Sequence, residues 1–315
     1  MGHFERKNLN SKMLPNVIIG GAEKAGTTSL FRYLSDHPSI CASSIKEVDL
    51  FVKHLDEKIA ISLEVYKEFF SHCSNSNLIR LEASASYLMN AKKIAEIIFL
   101  NLHNVKFIFV LREPISALIS YIKWKSVFKA DLSLDRFIAI IRSGNEKDSK
   151  DIIQKEYYGN PTRLYAGCYA NLLREYLAFF PRDQIGIFFF DDLSNHTSSF
   201  MGKVCEFLQI DDRFYHSYNF SIENKTRSYK YPQFHKAASN LNLRLEIFFN
   251  RHPYLRKYLR NLYHRYFEAF DRKFEVSNIE KKILKEFYSP HNFELAHLLK
   301  SEYPDLSLPY WLSND

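Results

Sequence analysis

The 315-residue chain is poor in the residues that punctuate loops, with 9 glycines and 10 prolines. That argues against a turn-rich all-β protein and against a low-complexity linker. Cysteine is scarce as well. Cys41, Cys73, Cys168 and Cys205 lie far apart and form no CxxC pair. Neither a zinc site nor a disulfide framework is therefore expected, and a reducing compartment fits. Long apolar runs are missing too. The longest, near 107–111 and 185–190, are far too short to span a bilayer. The polar opening MGHFERKNLNSKMLPN has no apolar run of the signal-peptide kind. A soluble, cytoplasmic chain is the expectation.

What is present is apolar and aromatic. Hydrophobic residues make up 46% of the chain, including 27 Phe and 20 Tyr, enough for a full core. The formal charge is +7, from 43 basic and 36 acidic side chains. It is not spread evenly. Residues 225–273 hold 12 Lys/Arg against 3 Asp/Glu, a net +9, so the remainder of the chain sums to −2. The basic character is local, and no nucleic-acid partner is expected.

Short β-branched or aromatic runs alternate with longer amphipathic stretches. Strand candidates are 17–19, 78–81, 106–111 and 185–190; helical stretches are 28–37, 91–102, 115–128, 167–180 and 197–208. Nearly continuous apolar strands between helices predict a parallel sheet covered on both faces. Ligands of such sheets bind beyond the C-terminal strand ends.

The first strand runs into Gly20-Gly21-Ala22-Glu23-Lys24-Ala25-Gly26-Thr27-Thr28-Ser29, followed by a helix. Glycines let the backbone approach an anion, the helix start offers N–H donors, and Lys24 adds a full charge. In a Walker A loop the lysine directly follows the last glycine, whereas here Lys24 precedes Gly26. The Lys24-Ala25-Gly26-Thr27-Thr28 run instead resembles the 5′-phosphosulfate loop of sulfotransferases that use 3′-phosphoadenosine 5′-phosphosulfate (PAPS). A second block agrees. Leu111-Arg112-Glu113-Pro114, with Ser120 eight residues after the arginine, is similar to the family's 3′-phosphate motif, although Ala117 stands where many members carry a second arginine. The resemblance implies donor binding by Lys24, Ala25, Gly26, Thr27, Thr28, Ser29, Arg112 and Ser120.

Lys46-Glu47-Val48-Asp49-Leu50-Phe51 resembles the acceptor segment of heparan-type sulfotransferases, whose glutamate is the general base. Carry-over assigns Glu47 to that role beside Lys24, with Lys46 facing the substrate. Glu82-Ala83-Ser84-Ala85-Ser86-Tyr87 looks like a further family block. It makes Glu82 a second acceptor-side residue and candidate base, and Ala83 replaces a lysine found in heparan O-sulfotransferases. Lys225-Thr226-Arg227 resembles the loop that closes over the nucleotide, with Thr226 in place of glycine.

The expectation is a single α/β domain over 1–315 with a P-loop-like parallel sheet, a polar tail at 1–15 and a basic, aromatic helical insertion at 235–275. The implied reaction is metal-free, in-line sulfuryl transfer from PAPS to a hydroxyl or amine, preferably of a carbohydrate or glycolipid. The 241–275 segment has three competing uses: holding the acceptor, touching a membrane surface peripherally, or covering the core. Two rivals stay open. One is a P-loop kinase, which needs a magnesium site. The other is an inactive nucleotide- or polyanion-binding module.

Overall fold

The structure, a computed structural model, describes residues 14–53, 55, 63–73, 78–126, 133–143, 161–221, 228–229, 259, 268–269 and 276–313. Five parallel strands form one sheet: β1 (Val17–Gly21), β2 (Ile40–Ala42), β3 (Ile79–Ala83), β4 (Lys106–Leu111) and β5 (Ile185–Phe189). Their order is β2-β3-β1-β4-β5, with β1 in the centre. This is the expected α/β fold; Ile40–Ala42, outside the four strand candidates, supplies the fifth strand. β1 and β5 are buried at every position, and β4 at all but Lys106. A strand roofed by helices on both sides gains from apolar side chains pointing either way, hence the continuous runs.

Helix α1 (Thr27–Ser35) follows β1 and buries Leu30, Tyr33 and Leu34, one stripe at helical spacing, against the sheet. The helix over Pro114–Ser126 starts where proline is tolerated, and the Glu113 carboxylate accepts a 2.8 Å hydrogen bond from the Ser116 N–H as its cap. The core beneath β4 is aromatic. Phe107 and Phe109 both pack edge-on to Tyr176, with ring centroids 5.0 and 4.8 Å away.

Packing divides the chain into two compact units. One comprises Met1–Ala117, Leu164–Glu223 and Glu286–Asp315 and holds the sheet; the other comprises Leu118–Arg163 and Asn224–Lys285. Of the anticipated insertion at 235–275, only Leu259, Glu268 and Ala269 are described. Ser228–Tyr229 and Glu268–Ala269 pair as a short antiparallel ladder. Among the described residues no helix is long and apolar enough to cross a membrane.

The reading of the cysteines needs correction. Cys41 and Cys73 form a disulfide, their Cα atoms 6.0 Å apart across 32 residues of sequence. The turn after the helix Leu63–Glu68 folds back against β2, where the Phe69 carbonyl also accepts a 2.9 Å hydrogen bond from the Ser44 N–H. Spacing along the chain carries no sign of this return, and with the pair made the ground for expecting a reducing compartment is gone. Cys168 and Cys205 are buried free thiols, pushed by burial up to about 12.

Candidate active site

Two clusters form at the C-terminal edge of the sheet. The first follows β1. Gly26 is the N-cap of α1 with φ +80°, a left-handed turn that glycine adopts without the strain a Cβ would bring. A Cβ there would come within 2.7 Å of Leu193 Cδ2 and 3.2 Å of Phe190 Cδ2. No side chain among the described residues caps α1, so the helix start presents backbone donors to the cradle. Ala25, Thr27 and Ser29 are buried, while Lys24 and Thr28 are partly exposed.

Arg112 closes this cluster from β4. Its Nη1 donates to the Lys24 carbonyl at 2.8 Å, and its guanidinium lies 4.3 Å from the Phe190 ring centre. Stacking plus a hydrogen bond hold the fork in one orientation, which suits bidentate anion binding. The Arg112 carbonyl accepts from the Tyr169 hydroxyl at 3.0 Å, and burial lowers the Arg112 pKa. Glu113 is occupied in capping its helix. The structure thus brings the lysine loop and the arginine together.

The second cluster follows β3. The Glu47 N–H donates to the Ala83 carbonyl at 2.7 Å, so the 43–49 segment lies on the end of β3. Glu47 Oε2 accepts from the Ala85 N–H at 2.9 Å, and Oε1 pairs with Lys46 Nζ. The Glu47 side chain keeps 39% of its surface. Desolvation raises its pKa; Lys46 and the Ala85 N–H lower it, and Asp49 raises it further. Lys46, expected to face the substrate, is the ion-pair partner of the base candidate.

Glu82 lies one layer deeper. It is wholly buried, so the direct acceptor contact anticipated for it is corrected: no surface is left to make it. Its Oε1 accepts from the Ser84 hydroxyl, and Ser84 Oγ accepts the Asp49 N–H at 2.9 Å. Asp49 Oδ1 in turn accepts from Ser86 Oγ at 2.6 Å. Burial raises the Glu82 pKa to about 8, with Glu47 and Asp49 adding like charge. The buried Tyr66 hydroxyl approaches the same carboxyl and opposes the rise. Among the described residues, Glu82 Oε2 and the Tyr66 and Tyr87 hydroxyls lack well-formed hydrogen bonds. A protonated Glu82 is therefore the form this pocket accommodates.

Lys24, Glu47 and Asp49 all have left-handed φ, at +65°, +60° and +52°. Each such non-glycine residue costs about 1–2 kcal/mol and persists only where surroundings impose it. Among the described residues Asn104 and Gln209 share this conformation away from the two clusters. The clusters also touch. A Cβ on Gly21, itself at φ +154°, would meet Leu88 Cβ at 2.7 Å and the Ala85 carbonyl at 3.2 Å. The turn that holds Glu47 is thus packed on the strand that launches the lysine loop.

Ser120 lies on the helix Pro114–Ser126, partly exposed and in the second unit. Lys225, Thr226 and Arg227 lie outside the described residues. Sequence reasoning missed Tyr66, Phe190 and the Ala85 N–H. Tyr66 and Phe190 carry no motif, and a backbone donor has no residue signature.

A parallel sheet with β1 central carries at one edge a glycine-capped lysine loop after β1, an arginine after β4 and carboxylates after β3, the layout of an α/β group-transfer enzyme. The sulfotransferase domain family model matches residues 14–290. The chain belongs to the sulfotransferase family of enzymes. It is 34% identical over 108 residues to the membrane-associated sulfotransferase kil1 of Dictyostelium discoideum, covering 34% of this chain and 22% of that protein. It is 26% identical over 208 residues to the human bifunctional heparan sulfate N-deacetylase/N-sulfotransferase 3, covering 62% of this chain and 22% of that protein. The chain thus spans about a fifth of the length of these curated relatives. A crystal structure of a sulfotransferase from Alicyclobacillus acidocaldarius shares the fold at TM-score 0.60 and 20% identity, covering 94% of this chain and 98% of that one.

Proposed function

We propose that the chain transfers a sulfuryl group from PAPS to a hydroxyl or amine of a carbohydrate acceptor, with Glu47 as general base. The observation that carries this reading is Glu47 itself, a partly exposed carboxylate locked by the Ala85 N–H on the same strand-end edge as the lysine loop.

The donor set fits a nucleotide with two anionic ends. The glycine-capped start of α1 and Lys24 suit a 5′-phosphosulfate. By sequence motif, the 3′-phosphate is assigned to Arg112, Ser120, Lys225, Thr226 and Arg227. PAPS supplies the activated sulfuryl group; the chain holds it and moves a proton. Glu47 takes the proton from the attacking acceptor oxygen or nitrogen. Lys24 stabilises negative charge on the departing phosphate oxygen. Lys46, paired with Glu47, offsets part of the rise that desolvation causes in the base's pKa. Asp49, Ser84 and buried Glu82 hold the 47–49 turn in its strained form. The heparan sulfate named for the human relative supports a glycan acceptor, and the membrane association named for kil1 suits a glycolipid.

Two measurements test this. 3′-Phosphoadenosine 5′-phosphate (PAP) should raise the melting temperature by mass action, and ATP with magnesium should not; the reverse would make the chain a P-loop phosphotransferase. Labelled PAPS offered with glycans, glycolipids, phenols and peptides should mark a glycan or glycolipid. Label on phenols alone would overturn the carbohydrate acceptor, and PAP binding without transfer to any class would leave a nucleotide-binding module.

A further inference from the structure

The disulfide has a neighbour with chemistry of its own. His72 Nε2 lies 3.6 Å from Cys41 Sγ, and the ligand atoms of Cys41, His72 and Cys73 all lie within 4.8 Å of one another. They come from two segments: Cys41 from β2, and the His72-Cys73 pair from the turn after the helix Leu63–Glu68. His72 is exposed, and both cysteines are partly exposed, so core packing does not require an imidazole against these sulfurs. Cys168 and Cys205 are the opposite case: buried, separate, and with thiols raised to about 12.

Two thiolates and an imidazole are the donors of a thiophilic, borderline-soft divalent ion. Bonds of about 2.0–2.3 Å in a tetrahedral site place ligand atoms about 3.4–3.8 Å apart. The present spacing reaches that with small rotations of side chains that are not locked in the core. Partial exposure gives an ion an entry path and leaves a fourth position for water.

We propose that in the dithiol state Cys41, His72 and Cys73 bind one thiophilic divalent metal ion, zinc by donor chemistry, and that closing the disulfide expels it. On binding, the two thiols release two protons and two sulfur–metal bonds form. On oxidation by a low-molecular-weight disulfide, the two thiolates give up an electron pair and form the S–S bond. The small disulfide takes that pair and two protons and leaves as two thiols, and the ion returns to water. Either linkage clamps β2 to the turn at 69–73, and β2 leads directly into the 43–51 segment that carries Glu47. The site is independent of the acceptor's identity and of the donor nucleotide.

Cobalt(II) is the probe. Protein reduced with a phosphine, which competes weakly for metal, should bind one equivalent and develop the visible bands of tetrahedral cobalt with thiolate charge transfer. Zinc should displace it and erase the bands. The disulfide form should show none. Cys41→Ser and Cys73→Ser should each abolish the thiolate bands, and His72→Ala should weaken binding at least about tenfold. Circular dichroism on each variant separates loss of ligand from loss of fold, and the comparison of reduced and oxidised wild type needs no variant. No bands in the reduced protein would overturn the proposal. So would bands that survive in Cys41→Ser/Cys73→Ser, or an equal response from the disulfide form.

Discussion

The lysine loop after β1 and the glutamate segment before helix Leu50–Lys53 meet the same strand ends but are built from different materials. The loop is a backbone device: a left-handed glycine cap, a helix start and a carbonyl that receives Arg112. The glutamate segment is a side-chain device. Ser86, Asp49, Ser84 and Glu82 hold one another through a chain of hydrogen bonds that ends on a wholly buried carboxyl, and the Ala85 N–H holds Glu47 beside it. Backbone cradles suit a donor whose anionic groups are constant. Side-chain networks suit an acceptor side, where one substitution can retune the base or the pocket.

The sharpest way to break the contrast is Glu47→Gln. It should lower turnover by about 10²–10⁴ and leave PAP binding unchanged, read by sulfate transfer and by calorimetry. Lys24→Ala should weaken both, since one group serves binding and departure of the phosphate. A Glu47→Gln enzyme of normal rate would remove the base from this segment.

Gly26→Ala comes next. At φ +80° with Leu193 2.7 Å from the new carbon, it should cost about 1–3 kcal/mol in chemical denaturation and weaken PAP binding. Ser29→Ala, on the same helix start, carries no left-handed penalty.

The third test is pH. Because folding raises the Glu82 pKa from 4.5 to about 8, the protonated form is the stabilised one. Its contribution is complete below about 4.5 and is lost as pH rises towards 8. Melting temperature should fall across that window, and Glu82→Gln, neutral throughout, should flatten the fall. Equal slopes in both proteins would return Glu82 to an ordinary acid. The rise at Glu47 has the same sign and shifts the acid limb of the rate profile upward.

The smallest effect belongs to Ser86→Ala. Losing its 2.6 Å bond to Asp49 should cost about 0.5–1.5 kcal/mol. Acceptor KM should move more than PAP affinity, because the bond steadies the glutamate side alone.

The fold was largely legible because its signals are local. Val17–Gly21, Lys106–Leu111 and Ile185–Phe189 are apolar on both faces, and such runs between amphipathic stretches admit few architectures. The lysine loop was legible for the same reason, since Gly26 and the start of α1 are neighbours in sequence. Glu47 was found by resemblance, and its relation to Glu82 was not. Two carboxylates 35 residues apart show neither which is buried nor which keeps solvent.

From sequence alone came the strand–helix order, the anion loop, the arginine that answers it and the family these imply, all written in short stretches of chain. Tertiary structure alone decided that Glu82 is wholly buried, where burial raises its pKa, while Glu47 stays partly open, that Arg112 rests on Phe190, and that Cys41 meets Cys73 and His72. Burial, like-charge crowding and thiol pairing depend on which distant residues share a space, and only the closing of the sheet brings them there.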